Sequence, residues 1–318
     1  MKKNNIITIS TIAIIILITA IVNLNKSQMT NLNSKNIVTL KHYLKENATN
    51  NDIINNLKNN LGASRVNDLL EKDLEYSKNQ EYLKVESNKD LEISKYYSNL
   101  FEATIMEIKD PARIKMVSKP ASSSTGLTLA EYISSQDGIA GINAGGFIDD
   151  GGKGNGGTPW GIVIKDGKLI YGFENEYTSV IGLNIDNTLV VEDMTGKQAL
   201  DWGLTEAVTF GPALIKNYES VYTGGGVVNN LNPRTVIAQK SDGSILFVVI
   251  DGRQPSSFGA RYSDVIDMLL TMDVKTAGNL DGGNSSEMIY DGQVINSTVS
   301  FYGGRALPSS FIVSKENQ

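Results

Sequence analysis

Two aspartates in the C-terminal half of the chain stand where carboxylates could do chemistry. Asp251 follows the apolar run Ile245–Ile250, and Asp281 follows the short apolar run Thr276–Leu280. Each aspartate precedes a glycine, which lets backbone amides approach a ligand and permits positive φ. If a helix joins the two runs as strands of one sheet, both aspartates emerge at the same edge, roughly 5–10 Å apart. That range covers the carboxylate separations of retaining and inverting glycosidases.

Further polar side chains lie beside glycine turns. Asn143 precedes Ala144-Gly145-Gly146, where it either ties down its own loop or contacts a ligand. Three arginines fall in turn-rich segments near these motifs, and guanidinium groups there suit a bidentate grip on phosphate. An internal ion pair with Asp251 or Asp281 is the alternative for any of them. The candidate ligand-binding residues are Asn143, Gly145, Gly146, Arg234, Arg253, Gly282, Gly283, Ser285 and Arg305.

Composition excludes several kinds of catalyst and partner. The chain has no cysteine, and its single histidine, His42, lies in the polar N-terminal segment. Thiolate catalysis, a Ser-His-Asp triad and a multi-histidine metal site are therefore not expected, and Ser285 is interpreted as a hydrogen-bond donor. The formal net charge of −6 argues against nucleic acid as a partner. A role for Ca²⁺ or Mg²⁺ stays open, because Asp149 and Asp150 could help to bind Ca²⁺.

The N-terminus has the pattern of a localisation signal. Lys2 and Lys3 precede the uncharged apolar run Ile6–Val22, which is near the short end of what crosses a bilayer as a helix. The preceding positive charge predicts a cytoplasmic N-terminus and an exported remainder. We predict an uncleaved anchor over residues 1–25, and thus a single-pass protein of the cell membrane with its main domain extracytoplasmic. Cleavage as a signal peptide would make the protein secreted.

The remaining chain divides by composition into two parts. Residues 26–98 are rich in Asn, Lys, Glu and Ser with helically spaced apolar residues, which predicts a polar helical stalk or spacer. Residues 99–318 are glycine-rich and predict a compact domain. Tight-turn signals at Asp166-Gly167, Asp186-Asn187 and Asp291-Gly292 predict hairpins.

Two helices are predicted within this domain. A capping box at Thr128 and Glu131 precedes the first, and the second, Asp264–Met272, connects the apolar runs that carry Asp251 and Asp281. Hairpins together with a strand–helix–strand unit predict an α+β fold with a mixed β-sheet. In this prediction the domain follows an N-terminal transmembrane helix and a helical stalk.

Six short segments of the compact domain carry a family resemblance. They are GINAGGF (Gly141–Phe147), GTPWGIVIKDGK (Gly157–Lys168), TFGPALI (Thr209–Ile215), NPRT (Asn232–Thr235), VVIDGR (Val248–Arg253) and NLDGGNSSEM (Asn279–Met288). In this order they resemble the phosphodiester glycosidase family, with the resemblance covering roughly residues 101–314. The usual form of the last segment is NLDGGGSSTM, so Asn284 replaces a glycine and Glu287 replaces a threonine.

The resemblance implies a hydrolase that cleaves a sugar linked through its anomeric carbon to a phosphodiester, in a cell-envelope or exopolysaccharide glycan. Asp281 is expected to be the leading catalytic carboxylate, with Asp251 as second carboxylate or metal ligand. Arg234 and Arg253 are expected to hold the phosphate, and Arg305 is a candidate after these two. The expected partners are a phosphodiester-linked carbohydrate and, through the N-terminal helix, a membrane. The alternatives are a non-catalytic glycan-binding module displayed at the cell surface and an ordinary glycosidase without phosphate specificity.

Overall fold

The computed structural model describes residues 83–87, 90–120, 122–149, 154–224, 230–298 and 304–315. All of them belong to the second of two compact units of the chain, Asn79–Gln318. The predicted anchor at residues 1–25 and most of the predicted stalk lie outside the described residues.

The transmembrane helix that was predicted as part of the fold has no counterpart in the described residues. Among the residues that the structure describes, no helix is long and apolar enough to cross a membrane. The described residues therefore contain no counterpart of the predicted transmembrane helix, and residues 1–25, which were expected to form it, are not among them.

The described residues form mainly β-sheet, so the predicted α+β class is wrong. The strands are β1 (Leu83–Ser87), β2 (Leu91–Tyr97), β3 (Glu102–Ile108), β4 (Ile114–Ser118), β5 (Gly138–Asn143), β6 (Phe147–Ile148), β7 (Thr158–Pro159), β8 (Val163–Lys165), β9 (Lys168–Tyr171), β10 (Tyr177–Asn184), β11 (Leu189–Thr195), β12 (Leu204–Thr209), β13 (Ala213–Lys216), β14 (Glu219–Ser220), β15 (Arg234–Lys240), β16 (Ile245–Ile250), β17 (Val274–Leu280), β18 (Met288–Tyr290), β19 (Gln293–Val294) and β20 (Ser309–Ser314). The α-helices of the described part are α1 (Leu129–Ser135), α2 (Gly196–Asp201) and α3 (Tyr262–Leu270). These helices are short, and strands make up most of the described fold.

The strands pair into one large sheet and two smaller ones, besides the two-stranded β6-β7 pair. The large sheet has the order β1-β2-β3-β16-β15-β17-β13-β14. The five-stranded sheets have the orders β11-β10-β12-β8-β9 and β19-β18-β5-β20-β4. Strand β15 is antiparallel to both of its neighbours, so β16 and β17 run in the same direction with β15 between them. The strand–helix–strand unit therefore forms no parallel pair, because the preceding chain supplies the strand in the middle.

Both faces of the large sheet are buried in its centre. Phe247, Val249 and Leu280 pack against residues of the two five-stranded sheets. On the opposite face, Val248 and Ile250 pack against α3. Burial on both sides explains why Ile245–Ile250 is a continuous apolar run rather than an alternating one.

Residues 83–87 and 91–97, which were predicted to belong to the helical stalk, form strands β1 and β2 of the large sheet. Strand β2 pairs with β3 from Leu91 opposite Ile108 to Tyr97 opposite Glu102. Leu91 and Ile93 are two residues apart and both reach the core, which is the period of a half-buried strand. The high Asn, Lys and Glu content of the surrounding segment concealed this short alternation.

Candidate active site

The candidate site lies at one edge of the large sheet, where three central strands end or begin. Thr235, near the start of β15, pairs with Val249 of β16 and with Leu280 of β17. Asp251 and Asp281 therefore leave the sheet at the same edge, on strands that are next-but-one neighbours. The last residue of β5 reaches this edge from the facing sheet, because Asn143 Nδ2 donates a hydrogen bond of 2.6 Å to the Asp281 main-chain oxygen.

Asp281 carries the carboxyl group that is best placed for chemistry. Its Oδ1 accepts a hydrogen bond of 2.9 Å from Gly282 N. Burial raises the pKa of Asp281 from 3.8 to about 6, while the Ser285 hydroxyl, the Arg305 charge and the Gly282 N–H pull it in the opposite direction. A carboxyl group with a pKa near the working pH can both hold and accept a proton.

Arg305 brings a positive charge to Asp281. Its Nη1 donates to Ser285 Oγ at 3.4 Å, and both the Ser285 side chain and the Arg305 charge lower the pKa of Asp281. The guanidinium group also pairs with the Asp149 carboxylate at 3.2 Å and lies 4.9 Å from the Phe147 ring centroid. Arg305 is thus held in place from several sides next to the Asp281 carboxyl group.

Arg253 approaches the same turn from another direction. Its backbone has a φ of 59°, which is unusual for a residue other than glycine. Its Nη1 donates to Asn284 Oδ1 at 2.7 Å, and its Nη2 donates to Asn232 Oδ1 at 3.0 Å. The side chain is exposed and, among the described residues, has no carboxylate partner. Such a guanidinium group is available to an anionic ligand.

Gly282 and Gly283 shape the turn between the two arginines. Gly283 has a φ of 62°, and a Cβ there would lie 3.4 Å from Arg253 Nη2. A Cβ on Gly282 would come within 2.9 Å of the Pro233 carbonyl oxygen. Side chains at these positions would therefore separate the turn from Arg253 and from the start of β15.

Arg234 is not brought to Asp281. Side chains alternate between the two faces of a strand, and whereas Thr235 faces Asn143, Arg234 faces α3. The Arg234 guanidinium carbon lies 3.9 Å from the Tyr262 ring centroid, and Nε donates to the Ala260 oxygen at 3.1 Å. Burial lowers the pKa of Arg234, and its contacts are those of a structural residue.

Asp251 is buried in its own hydrogen-bond network. It is only 2% exposed, and its carboxylate accepts hydrogen bonds from Asn296 Nδ2 at 3.0 Å and from Ser297 N at 3.1 Å. Burial raises the pKa of Asp251. Among the described residues, no hydrogen-bond partner of the Asp251 carboxylate also binds the Asp281 carboxyl group, and the contacts of Asp251 anchor the segment after β19.

The residues of the β5 turn also make contacts within the protein. Asn143 is fully buried, and its Oδ1 accepts hydrogen bonds from Thr235 Oγ1 at 2.8 Å and from Glu287 N at 3.2 Å. Gly145 N donates to Ser309 Oγ at 3.1 Å. A Cβ on Gly146 would lie 2.8 Å from the Phe210 ring. The sequence left open whether Asn143 holds its own loop or contacts a ligand. In the structure its side chain links β5 to the large sheet through hydrogen bonds.

Asn143→Ala is expected to lower the free energy of unfolding by about 3 kcal/mol, because it leaves the Thr235 hydroxyl and the Glu287 N–H buried without their partner. Urea unfolding of the full chain measures this loss. Asn175→Ala, at an exposed turn position, is the matched control and should leave the midpoint unchanged. Equal stability of the two variants would contradict the tie between the sheets.

The raised pKa of Asp281 predicts a pH-dependent stability difference. A group with a higher pKa in the folded than in the unfolded state stabilises the fold at low pH, and this stabilisation is lost as the pH rises through the folded pKa. The Asp281→Asn variant should therefore have the same free energy of unfolding as the wild type below about pH 4. Near pH 7.5 its free energy of unfolding should be higher by on the order of 1–3 kcal/mol. Urea titrations at the two pH values measure the difference, and a less stable variant at the higher pH would contradict the assigned pKa.

Two residues that sequence reasoning did not select also belong to this region. Asn284 positions the Arg253 guanidinium group, and Glu287 is a buried carboxyl group with a main-chain bond to Asn143. Both occupy positions at which the chain departs from the usual NLDGGGSSTM form. These two departures from the family motif were the signal in the sequence that could have identified Asn284 and Glu287.

The described residues show no metal-binding cluster at this site. No three His, Asp or Glu side chains among them come together as ligands. Asp149, one of the aspartates considered for Ca²⁺, instead pairs with Arg305 and accepts a hydrogen bond of 2.7 Å from Gly154 N.

Fold and site together define a mainly β protein in which a carboxyl group of raised pKa stands beside guanidinium groups at a sheet edge. Residues 136–314, more than half of the chain, match the family model described as phosphodiester glycosidase. The chain therefore belongs to the phosphodiester glycosidase family, and the resemblance found in the sequence is confirmed. Membership associates it with hydrolases of phosphodiester-linked sugars.

Three individual proteins that this chain resembles share a low sequence identity with it. The chain is 28% identical over 190 residues to the SPbeta prophage-derived uncharacterized protein YomE of Bacillus subtilis (strain 168), covering 56% of this chain but only 29% of that protein. The catalytic domain of zebrafish N-acetylglucosamine-1-phosphodiester alpha-N-acetylglucosaminidase, auto-inhibited by its pro-peptide, is 18% identical, with a TM-score of 0.60 over 74% of this chain and 87% of that chain. A hypothetical protein from Synechocystis is 15% identical, with a TM-score of 0.51 over 71% of this chain and 62% of that chain. The two structural matches establish a shared fold.

Proposed function

We propose that the chain hydrolyses a glycosyl-1-phosphodiester, breaking the bond between the anomeric carbon and the phosphate oxygen. The observation that carries this proposal is the turn Gly282–Ser285, which has the Asp281 carboxyl group at its start and the Arg253 and Arg305 guanidinium groups against it. A negative group held by two arginines would place an attached sugar beside Asp281. Family membership supports the same reaction.

In this proposal the leaving group determines which effects matter. The group that departs is a phosphate monoester, whose negative charge is shared over its oxygens and which is weakly basic, so it leaves with little help from a general acid. Arg253 and Arg305 would stabilise the negative charge that collects on it, which is the largest contribution in many enzymes. Asp281 in its carboxylate form would stabilise the positive charge at the anomeric carbon and accept the proton of the attacking water.

The name of one relative suggests which sugar phosphate diester to test on this chain. The zebrafish relative is named for N-acetylglucosamine-1-phosphodiester, so a diester of that sugar phosphate is the first compound to test. We propose that the natural substrate is a cell-envelope or exopolysaccharide glycan in which sugars are linked through such diesters.

Hydrolysis in ¹⁸O-labelled water tests the proposal, because it reports which bond is broken. Cleavage at the anomeric carbon places the label in the released sugar and leaves it out of the phosphate monoester. Label in the phosphate would reveal an ordinary phosphodiesterase and overturn the proposal. Binding of the diester without turnover would favour the non-catalytic glycan-binding module.

A further inference from the structure

Trp160 presents an aromatic ring to solvent beside the candidate site, and the proposed reaction makes no use of it. The side chain is 55% exposed, yet two neighbours hold it in place. A Cβ on Gly146 would lie 3.4 Å from Trp160 Cε3, and the Trp160 ring stands perpendicular to the Phe210 ring with 6.1 Å between the ring centroids. An exposed ring that is already fixed by its neighbours loses little conformational freedom when a ligand covers it.

Main-chain hydrogen bonds connect Trp160 to Asp281. Trp160 N donates to Gly146 O at 2.9 Å, and Asp281 N donates to Ala144 O at 3.0 Å. The two residues from Ala144 to Gly146 span at most about 7 Å. Trp160 N and Asp281 N are therefore at most about 13 Å apart, a distance that a chain of two or three sugars can cover.

Phe210 also lines a cavity that can hold a ring. The volume of this cavity is about 190 Å³, and Pro212 and Tyr222 belong to its lining. An apolar cavity of about 150 Å³ can hold a benzene molecule, so this one has room for a six-membered ring. Pro212 connects the cavity to the site, because Asn279 N donates to Pro212 O at 3.1 Å and Asn279 lies two residues before Asp281.

The polar side chains of this cavity suit a neutral ligand with hydroxyl groups. They include Ser179, Glu192, Asp193 and Lys216. Glu192 and Lys216 form an ion pair of 2.6 Å, and the Ser179 hydroxyl donates a hydrogen bond to Asp193. Asp193 is exposed, and its carboxylate can accept further hydrogen bonds from hydroxyl groups. Two carboxylates against one ammonium group leave the lining negative, which opposes the entry of a phosphate group.

Resting on the proposed function, we propose that Trp160, Phe210 and this cavity bind a neutral sugar ring next to the sugar held at Asp281. The apolar C–H face of a pyranose packs against an aromatic ring, while its hydroxyl groups reach polar side chains at the rim. Aromatic walls with a few polar groups are the usual lining of a small-molecule site. The substrate is then an oligosaccharide or polysaccharide phosphodiester, and the second sugar contributes to its binding.

Intrinsic fluorescence of the full chain tests this proposal, because the chain contains only two tryptophans. In the Trp202→Phe variant, Trp160 is the only tryptophan. The probes are neutral disaccharides and trisaccharides of N-acetylglucosamine, glucose, galactose and mannose. We expect at least one of them to shift the Trp160 emission to shorter wavelength, since a stacked sugar displaces water from the ring. Trp160→Phe, which keeps the similarly exposed Trp202, is the matched control and should show no shift.

Turnover provides a second measure of the same site. Trp160→Ala should lose about tenfold more in kcat/KM on the 1-phosphodiester of the disaccharide found by fluorescence than on the diester of its single sugar. The extra loss should be in KM with little change in kcat, because the contact is made equally in the bound substrate and in the transition state. Trp202→Ala should lose nothing on either diester.

The two measurements separate the failure of this site from the failure of the proposed function. Absence of a Trp160 shift with every saccharide would overturn the sugar site, and so would equal losses by Trp160→Ala on the two diesters. Hydrolysis of the single-sugar diester by the wild type would leave the proposed function intact in either case. A Trp160 shift without turnover of either diester would instead overturn the proposed hydrolysis and leave the sugar-binding site.

Discussion

Asp281→Asn is expected to lower kcat on a sugar-1-phosphodiester by about 10³-fold, because the amide can neither accept the proton of water nor offer a negative charge to the anomeric carbon. The substitution keeps an oxygen for the Gly282 N–H, so the turn should retain its shape. Initial rates of sugar release by purified full-length protein measure the effect.

Asp291→Asn provides the matched control for this experiment. Asp291 is an exposed turn residue with a φ of 47°, a conformation that asparagine tolerates well. This variant should keep the wild-type rate. If Asp281→Asn turned over the diester as fast as Asp291→Asn, Asp281 would have no part in the mechanism.

Arg305→Ala should lower kcat/KM on the phosphodiester by about 10²-fold, because it removes a charge-assisted contact to the phosphate. The same variant should lose much less on an aryl glycoside of the same sugar, which has no phosphate to hold. The ratio of the two losses, measured on one protein preparation, separates phosphate binding from a general disturbance of the site.

Arg261→Ala is the control for the loss of an arginine. Arg261 is exposed and pairs with Asp264 at 3.7 Å, and exposed pairs of this kind contribute little. Equal losses by Arg305→Ala on the two substrates would contradict phosphate binding by Arg305 and favour a glycosidase without phosphate specificity.

Local signals in the sequence predicted several elements well. Asp166-Gly167 and Asp291-Gly292 form hairpin turns, with φ values of 48° and 70° in the first and 47° and 74° in the second. The capping box at Thr128 is present, since Glu131 N donates to Thr128 Oγ1 at 3.3 Å. Turns and caps depend on residues a few positions apart, so their physics can be read from short segments.

The fold class failed because it depends on pairing between distant segments. The two apolar runs joined by a helix predicted an α+β sheet, but β15, which is antiparallel to both, lies between them. The short alternation of Leu91 and Ile93 similarly gave no indication that it would extend this sheet. Nothing local to either segment specifies its partner.

Side-chain roles within the site were predictable only in part. Asp281, Arg253 and Arg305 meet around one turn, although they are separated by up to 52 positions in the chain. Arg234 could not be judged from sequence, because a shift of one residue along β15 decides between the face of Asn143 and the face of Tyr262. The surroundings of Asp251 could not be judged either, because an aspartate after a buried strand can face a ligand or, as its contacts with Asn296 and Ser297 show here, anchor a neighbouring loop.

The most direct test of the account is a crystal structure of Asp281→Asn with a bound sugar-1-phosphodiester. We predict phosphate oxygens within about 3 Å of guanidinium nitrogens of both Arg253 and Arg305, with the anomeric carbon directed towards residue 281. A diester bound with its phosphate away from these arginines, or with its anomeric carbon directed away from residue 281, would contradict the proposed site.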